Sequence, residues 1–240
     1  MPTPRRDTFS RRLTFGERPA LRRRLTFSRL GAHGHLLAPA VWTAVVVAMM
    51  AALLAPRDTD PGLSPMSLTV SDFAALDRGG PIETAMASLG LVSLLLLAVA
   101  RKRLPAMRGL PSVLLAIWGA GLVLAAVVPT DPLTTQLTGS AYVHRYASVA
   151  AFAALPAAGL VLAGRLGPAA GRTAWWLRVL SLLAVAGAGV MAYSAGPGGR
   201  ELIGLVERVM LGCEVIMLGV LGRYVHRLAR GGRGRAKLAP

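Results

Sequence analysis

Hydrophobic positions along the chain gather into six long runs separated by polar connectors. The runs are Leu36–Ala55, Ile82–Ala100, Leu110–Val128, Tyr146–Gly164, Trp175–Ala195 and Leu202–Leu221. Each approaches the roughly 20 residues needed to cross a hydrocarbon layer about 30 Å thick. Inside such a layer a segment must pair its own backbone N–H and C=O groups, so helices are expected. The pattern predicts an all-α polytopic membrane protein, a bundle of six transmembrane helices.

The connectors predict its orientation. Met1–His35, Arg101–Gly109, Arg165–Ala174 with Arg178, and Gly222–Pro240 together hold 22 of the 27 basic residues. The alternate connectors carry Asp58, Asp60, Asp72, Asp77, Glu83, Asp131, Glu201 and Glu207 against five arginines. The positive-inside rule then places both termini in the cytoplasm and the acidic connectors outside. Aromatic residues follow the same division, with Trp175, Trp176 and Tyr224 at inner ends and Tyr142, Tyr146 and Tyr193 at outer ends. Three divisions are expected: a basic N-terminal tail over 1–35, a transmembrane domain over 36–222 and a basic cytoplasmic tail over 223–240. The first tail repeats Arg5-Arg6-Asp7-Thr8-Phe9 as Arg11–Phe15 and Arg23–Phe27 and has no apolar face large enough to fold, so disorder is expected.

Composition agrees: 16% of residues are charged, against about a quarter in soluble domains. The net charge of +16 lies between and beyond the apolar runs. It therefore excludes a nucleic-acid partner and points to the cell membrane, with anionic lipid at both basic tails. One cysteine, Cys213, excludes an internal disulfide.

The longest outer connector, Pro56–Pro81, contains a stretch suited to a short helix. Ser71 reads as its N-cap, Asp72 suits the positive end of the helix dipole, and Gly79-Gly80-Pro81 stops it. Pro81 is set to open the second span, and Pro129-Thr130-Asp131-Pro132 ends the third. Gly119, Gly121, Gly187 and Gly189 suit close helix packing, and Pro156 is positioned to kink the fourth span.

Ionisable residues at membrane depth are the candidate chemistry. Arg200, Glu207 and Glu214 are spaced by seven, which places them on one face of a continuous helix. A carboxylate at the bilayer centre costs on the order of 2.5–3.5 kcal/mol on insertion scales, so both glutamates are expected to face the bundle interior. They read either as a proton or substrate path or as a structural ion-pair lock. His144 and Arg145 open the fourth span, with Ser148 one turn on. Such a histidine can shuttle protons, bind a metal with Asp131 and the outer aspartates, polarise a substrate carbonyl, or simply be hydrogen-bonded to Glu207 or Asp131. His33, His35 and His226 lie at or beyond inner ends, so no facing pair exists for haem, and zinc lacks nitrogen ligands here. No cofactor, metal site or catalytic set is expected.

Ser71-Asp72-Phe73, Pro129-Thr130-Asp131-Pro132, Gly139 with His144, and Glu207-Arg208 together resemble a bacterial and archaeal membrane family, domain of unknown function 998. The resemblance spans about Leu36–Leu228. It implies a six-helix membrane protein and no particular activity.

Asp72, Asp131, His144, Arg145, Glu207 and Arg208 are expected to converge on an outward-facing polar pocket, with Glu214 beneath it. The leading expectation is binding or transport of a small molecule there, with proton coupling through Glu207 and Glu214. An outward-facing enzyme acting on a lipid or envelope precursor, and an accessory subunit with a protein partner, are the alternatives.

Overall fold

The computed structural model describes residues 64–76, 80–131 and 136–236, with side chains as far as Arg230. The basic N-terminal tail and the first apolar run, Leu36–Ala55, lie outside the described residues. Within them the chain is helical, with α1 at Val70–Leu76, α2 at Pro81–Arg103, α3 at Leu110–Val127, α4 at Gly139–Arg165, α5 at Gly171–Ala195 and α6 at Ile203–Ala236. Short 3₁₀ turns at Pro105–Met107 and Pro168–Ala170 join α2 to α3 and α4 to α5.

Four of these helices, α2 to α5, are long and apolar enough to cross a membrane. Their starts follow local chemistry. Pro81 and Pro111 occupy first-turn positions of α2 and α3, where a missing N–H costs nothing. Gly109, which precedes α3, has φ 74°, a left-handed conformation that glycine tolerates. Thr138 caps α4 by accepting the Ala141 N–H. α4 runs unbroken through Pro156.

The sixth run departs from the simple span. α6 continues through 34 residues, roughly 50 Å at 1.5 Å per residue, so much of the C-terminal basic segment prolongs the last helix. Its apolar part also carries Glu207, Arg208 and Glu214. Burial explains how: Ile203, Glu207, Met210, Glu214, Leu218, Leu221 and Val225 form a buried face. Arg200 does not share it. The helix begins at Ile203, and Arg200 (φ 67°) and Leu202 (φ 57°) adopt left-handed conformations in the preceding turn.

Successive helices pack as neighbours, and α6 also touches α2 and α4. Between helices in a bilayer the drive is close van der Waals contact and hydrogen bonding. A Cβ on Gly90 of α2 would stand 2.7 Å from the Gly119 carbonyl oxygen of α3, and one on Gly121 would stand 2.9 Å from the Ala147 carbonyl oxygen of α4. At Gly159 it would run into Ser181 Oγ of α5 and Met217 Sδ of α6. At Gly187 it would press on Met210 Cβ at 3.3 Å, and Gly189 faces open space. Trp118, fully buried, donates its indole N–H to Ser93 Oγ at 3.0 Å, and Ser93 donates onward to the Leu89 carbonyl at 2.7 Å.

The two ends of the bundle differ. At one, Arg165 Nη1 donates to the Arg108 carbonyl at 2.8 Å, joining two basic connectors. At the other lie α1, Asp131 and the turn from Gly196 to Glu201.

Candidate functional site

The site is built on the loop before α1. Thr69 and Asp72 bond reciprocally: the Asp72 N–H donates to Thr69 Oγ1 (3.1 Å) and the Thr69 N–H to Asp72 Oδ2 (2.9 Å). This is a capping box, so Thr69 rather than Ser71 caps α1. Threonine three residues before a carboxylate satisfies two backbone donors at once, which Ser71 has no acidic partner at that spacing to do.

The same loop seats the start of α6. The Gly204 and Leu205 N–H groups donate to the Met66 carbonyl at 2.9 and 3.3 Å, supplying an acceptor to first-turn donors that a helix cannot pair itself. Arg208 Nη1 returns the contact, donating to the carbonyls of Pro65 (2.7 Å), Leu68 (3.0 Å) and Gly204 (2.9 Å). Its guanidinium lies 5.4 Å from the Phe73 ring centroid, within cation–π range. Glu207, 2% exposed, accepts the Val70 N–H at the head of α1 through Oε2. Arg200 Nη2 pairs with Asp72 Oδ2 at 2.8 Å. The two arginines and the two acids thus bind α1 and its loop onto the N-terminal turn of α6.

Against this assembly stands the head of α4. Asp131 Oδ2 accepts the Thr138 N–H at 2.8 Å, holding the cap in place. His144 is 3% exposed, and its Nδ1 lies 3.1 Å from the Val128 carbonyl. A carbonyl only accepts, so Nδ1 carries the hydrogen and Nε2 is left with a lone pair in the neutral ring. Neither His144 Nε2 nor Ser148 Oγ has a hydrogen-bond partner among the described residues.

Between these walls lies a cavity of about 530 Å³. Asp72, Asp131, His144, Arg145, Ser148, Arg200 and Glu207 give it a polar end. Val149, Phe152 and Ala153 of α4, Ala188, Met191 and Ala192 of α5, and Met210 of α6 give it an apolar one. Val149, Ala153, Ala188 and Ala192 are exposed, so the cavity opens on the flank of the bundle, where α4 and α5 part. The two helices close up only further along, at Gly159, Leu177 and Ser181.

The family model that matches this chain is "Protein of unknown function (DUF998)", over residues 36–224. The chain belongs to this family. No curated protein and no solved structure matches it. The DUF998 chain is an integral membrane protein, and the family match adds no activity to that statement.

Five of the seven residues singled out in the sequence of this DUF998 protein line one cavity: Asp72, Asp131, His144, Arg145 and Glu207. Arg208 turns away into the α1 loop. Glu214 is fully buried, one helical turn beyond Met210 and two beyond Glu207; both its carboxylate oxygens lack a hydrogen-bond partner among the described residues, and it is not among the described lining residues. Thr69 and Arg200 are the contributors that sequence reasoning assigned elsewhere or passed over. The signal for Arg200 was its place as the only cation in a glycine-rich turn facing an acidic loop; the signal for Thr69 was the Thr-x-x-Asp spacing.

Proposed function

We propose that this protein binds a small molecule in the cavity between α4, α5 and α6, reached from the outer face of the cell membrane. The observation that carries the reading is the cavity itself, about 530 Å³, whose lining passes from Asp72, Asp131, His144, Arg145 and Arg200 at one end to Val149, Phe152 and Met191 at the other. Apolar clefts with a few convergent polar groups are the usual form of a ligand site. Turnover is less well supported than binding, because Ser148 and His144 are not bonded to one another as a nucleophile and its base would be.

The fuller architecture belongs to the same proposal: six spans, with Leu36–Ala55 as the first and α6 as the last, both termini cytoplasmic, and anionic lipid at the basic tails. The segregation of Arg101, Lys102, Arg103, Arg108 and Arg165 from the acidic end supports it. In a Cys213→Ser background, a cysteine at Ser140 is expected to react with a membrane-impermeant maleimide in intact cells, and one at Arg227 only after permeabilisation. The reverse pattern would invert the orientation.

Binding is tested by what the protein retains. Mass spectrometry of protein purified in mild detergent is expected to find a small molecule bound to the wild type. Ala192→Trp and Ala153→Trp, which fill the mouth from opposite walls, should each reduce its occupancy at least tenfold. Equal retention by all three proteins would remove the reading.

A further inference from the structure

We propose that the occupant is an uncharged lipid with a hydroxyl head, taken from the outer leaflet through the gap between α4 and α5 rather than from water. This rests on the binding reading above and names its ligand class. The depth of the gap decides the source. Tyr142 and Tyr146 are exposed on α4 and stack with ring centroids 6.3 Å apart, and Tyr193 is exposed near the end of α5. Exposed tyrosines of a spanning bundle mark the level of the lipid head groups. Val149, Ala153, Ala188 and Ala192 both line the cavity and are exposed, and all four lie on the inner side of that level. Val149 and Ala153 are about 5 and 10 Å beyond Tyr146 along α4, and Ala188 is about 8 Å short of Tyr193 along α5, at 1.5 Å per residue. A hydrocarbon core about 30 Å thick gives each leaflet about 15 Å, so the opening faces acyl chains. Half-buried Phe152 and Met191 continue the apolar lining inward. A hydrocarbon body that slips between the helices there keeps apolar surroundings throughout.

The head follows from charge balance at the polar end. Asp72 pairs with Arg200 at 2.8 Å. Glu207 accepts the Val70 N–H and feels the charge of Arg208 from outside the lining. Asp131 accepts the Thr138 N–H and shares the lining with Arg145. Three carboxylates thus stand with three guanidiniums. An anionic or a cationic head would be desolvated there with no surplus counter-charge to offset the cost. Hydrogen bonding is offered in both senses, because the oxygens of Asp72 and Asp131 only accept and the N–H groups of Arg145 and Arg200 only donate. A hydroxyl does both, so it answers either without bringing a charge.

The test uses the full-length protein in nanodiscs of zwitterionic lipid and three photoreactive probes. They share one diazirine-bearing alkyl chain and end in a hydroxyl, a carboxylate or a trimethylammonium. Mass spectrometry maps the adducts. Labelling of Phe152 and Met191 is divided by that of Leu182 and Val185, which are exposed on α5 outside the cavity lining, so that partitioning into the bilayer cancels. The ratio for the alcohol is expected to be at least fivefold above one and at least fivefold above that of either charged probe. Dodecanol should suppress it, and glycerol, which has hydroxyls and no chain, should not. Arg145→Gln leaves one carboxylate unmatched and should raise the ratio of the cationic probe several-fold. A charged probe with an equal or higher ratio in the wild type would overturn the ligand class and leave the cavity reading intact. So would a cationic ratio unmoved by Arg145→Gln. Suppression by glycerol as strong as by dodecanol would move the source from the bilayer to water. A ratio near one for every probe, or one unchanged in both Ala192→Trp and Ala153→Trp, would show that no lipid enters the cavity. The binding reading itself would fall only if those two variants also retained as much small molecule as the wild type.

Discussion

Gly204→Ala is expected to unseat the loop that closes the site. An added Cβ at that position would run into the carbonyl oxygens of both Leu68 and Pro65. Neither can yield freely. Leu68 and Pro65 are held by Arg208, and Met66 between them accepts the Gly204 and Leu205 N–H groups. Relief of the clash must push the loop off α6 and weaken several of these bonds together. Overpacking alone costs about 1–3 kcal/mol, and each buried bond lost adds about 1 kcal/mol. A net loss of about 3 kcal/mol corresponds to a fall of roughly 6–12 °C in the melting midpoint of a chain this size. Circular dichroism melts in detergent would measure it, and limited proteolysis should show new cleavage between Ser64 and Thr69. An unchanged melt with an unchanged digestion pattern would mean that the loop does not rest on Gly204.

Glu207 gives the second large effect. Glu207→Ala removes the acceptor of the Val70 N–H and leaves a space at a 2% exposed position. Leaving a buried donor unpaired costs about 1–3 kcal/mol, and the truncation adds a packing loss, for a total of about 3 kcal/mol. Glu207→Gln keeps a carbonyl oxygen in the same place and should stay within about 1 kcal/mol of wild type. The pair of variants separates hydrogen bonding from charge. A glutamine variant that melts as low as the alanine one would show that the charge of Glu207, and not its bond to Val70, holds α1 in place.

Helices α2 to α5 were legible in the sequence because a bilayer imposes one answer on an apolar run of that length. The juxtaposition of Asp72, Asp131, His144, Arg145 and Glu207 was legible for a related reason. Polar side chains on connectors at one end of the bundle have few places to meet other than its mouth. What stayed hidden depended on local backbone geometry. Arg200 fits a heptad with Glu207 and Glu214 by spacing, but the glycine-rich turn runs on to Leu202, and two left-handed residues turn Arg200 toward Asp72 instead. Arg208 reads as a pocket charge by its neighbour, yet one residue along a helix is a rotation of about 100°, enough to aim it at the loop. The gap between α4 and α5 was illegible for a further reason. Alanine and glycine occur both where helices touch and where they part, so Gly159 and Gly189 look alike in the sequence and stand in opposite surroundings.

The length of α6 gives this protein a lever arm. Glu207 sits at the fulcrum end, tied to α1, and the same rod continues to Ala236. A tilt of about 5° around Glu207 would swing the far end by about 4 Å, given 1.5 Å of rise per residue. Because no break separates the two ends, such a tilt would reach the arginines at 223, 227 and 230 without loss along the way, and spin labels at Gly139 and Arg230 would record it as a change in distance.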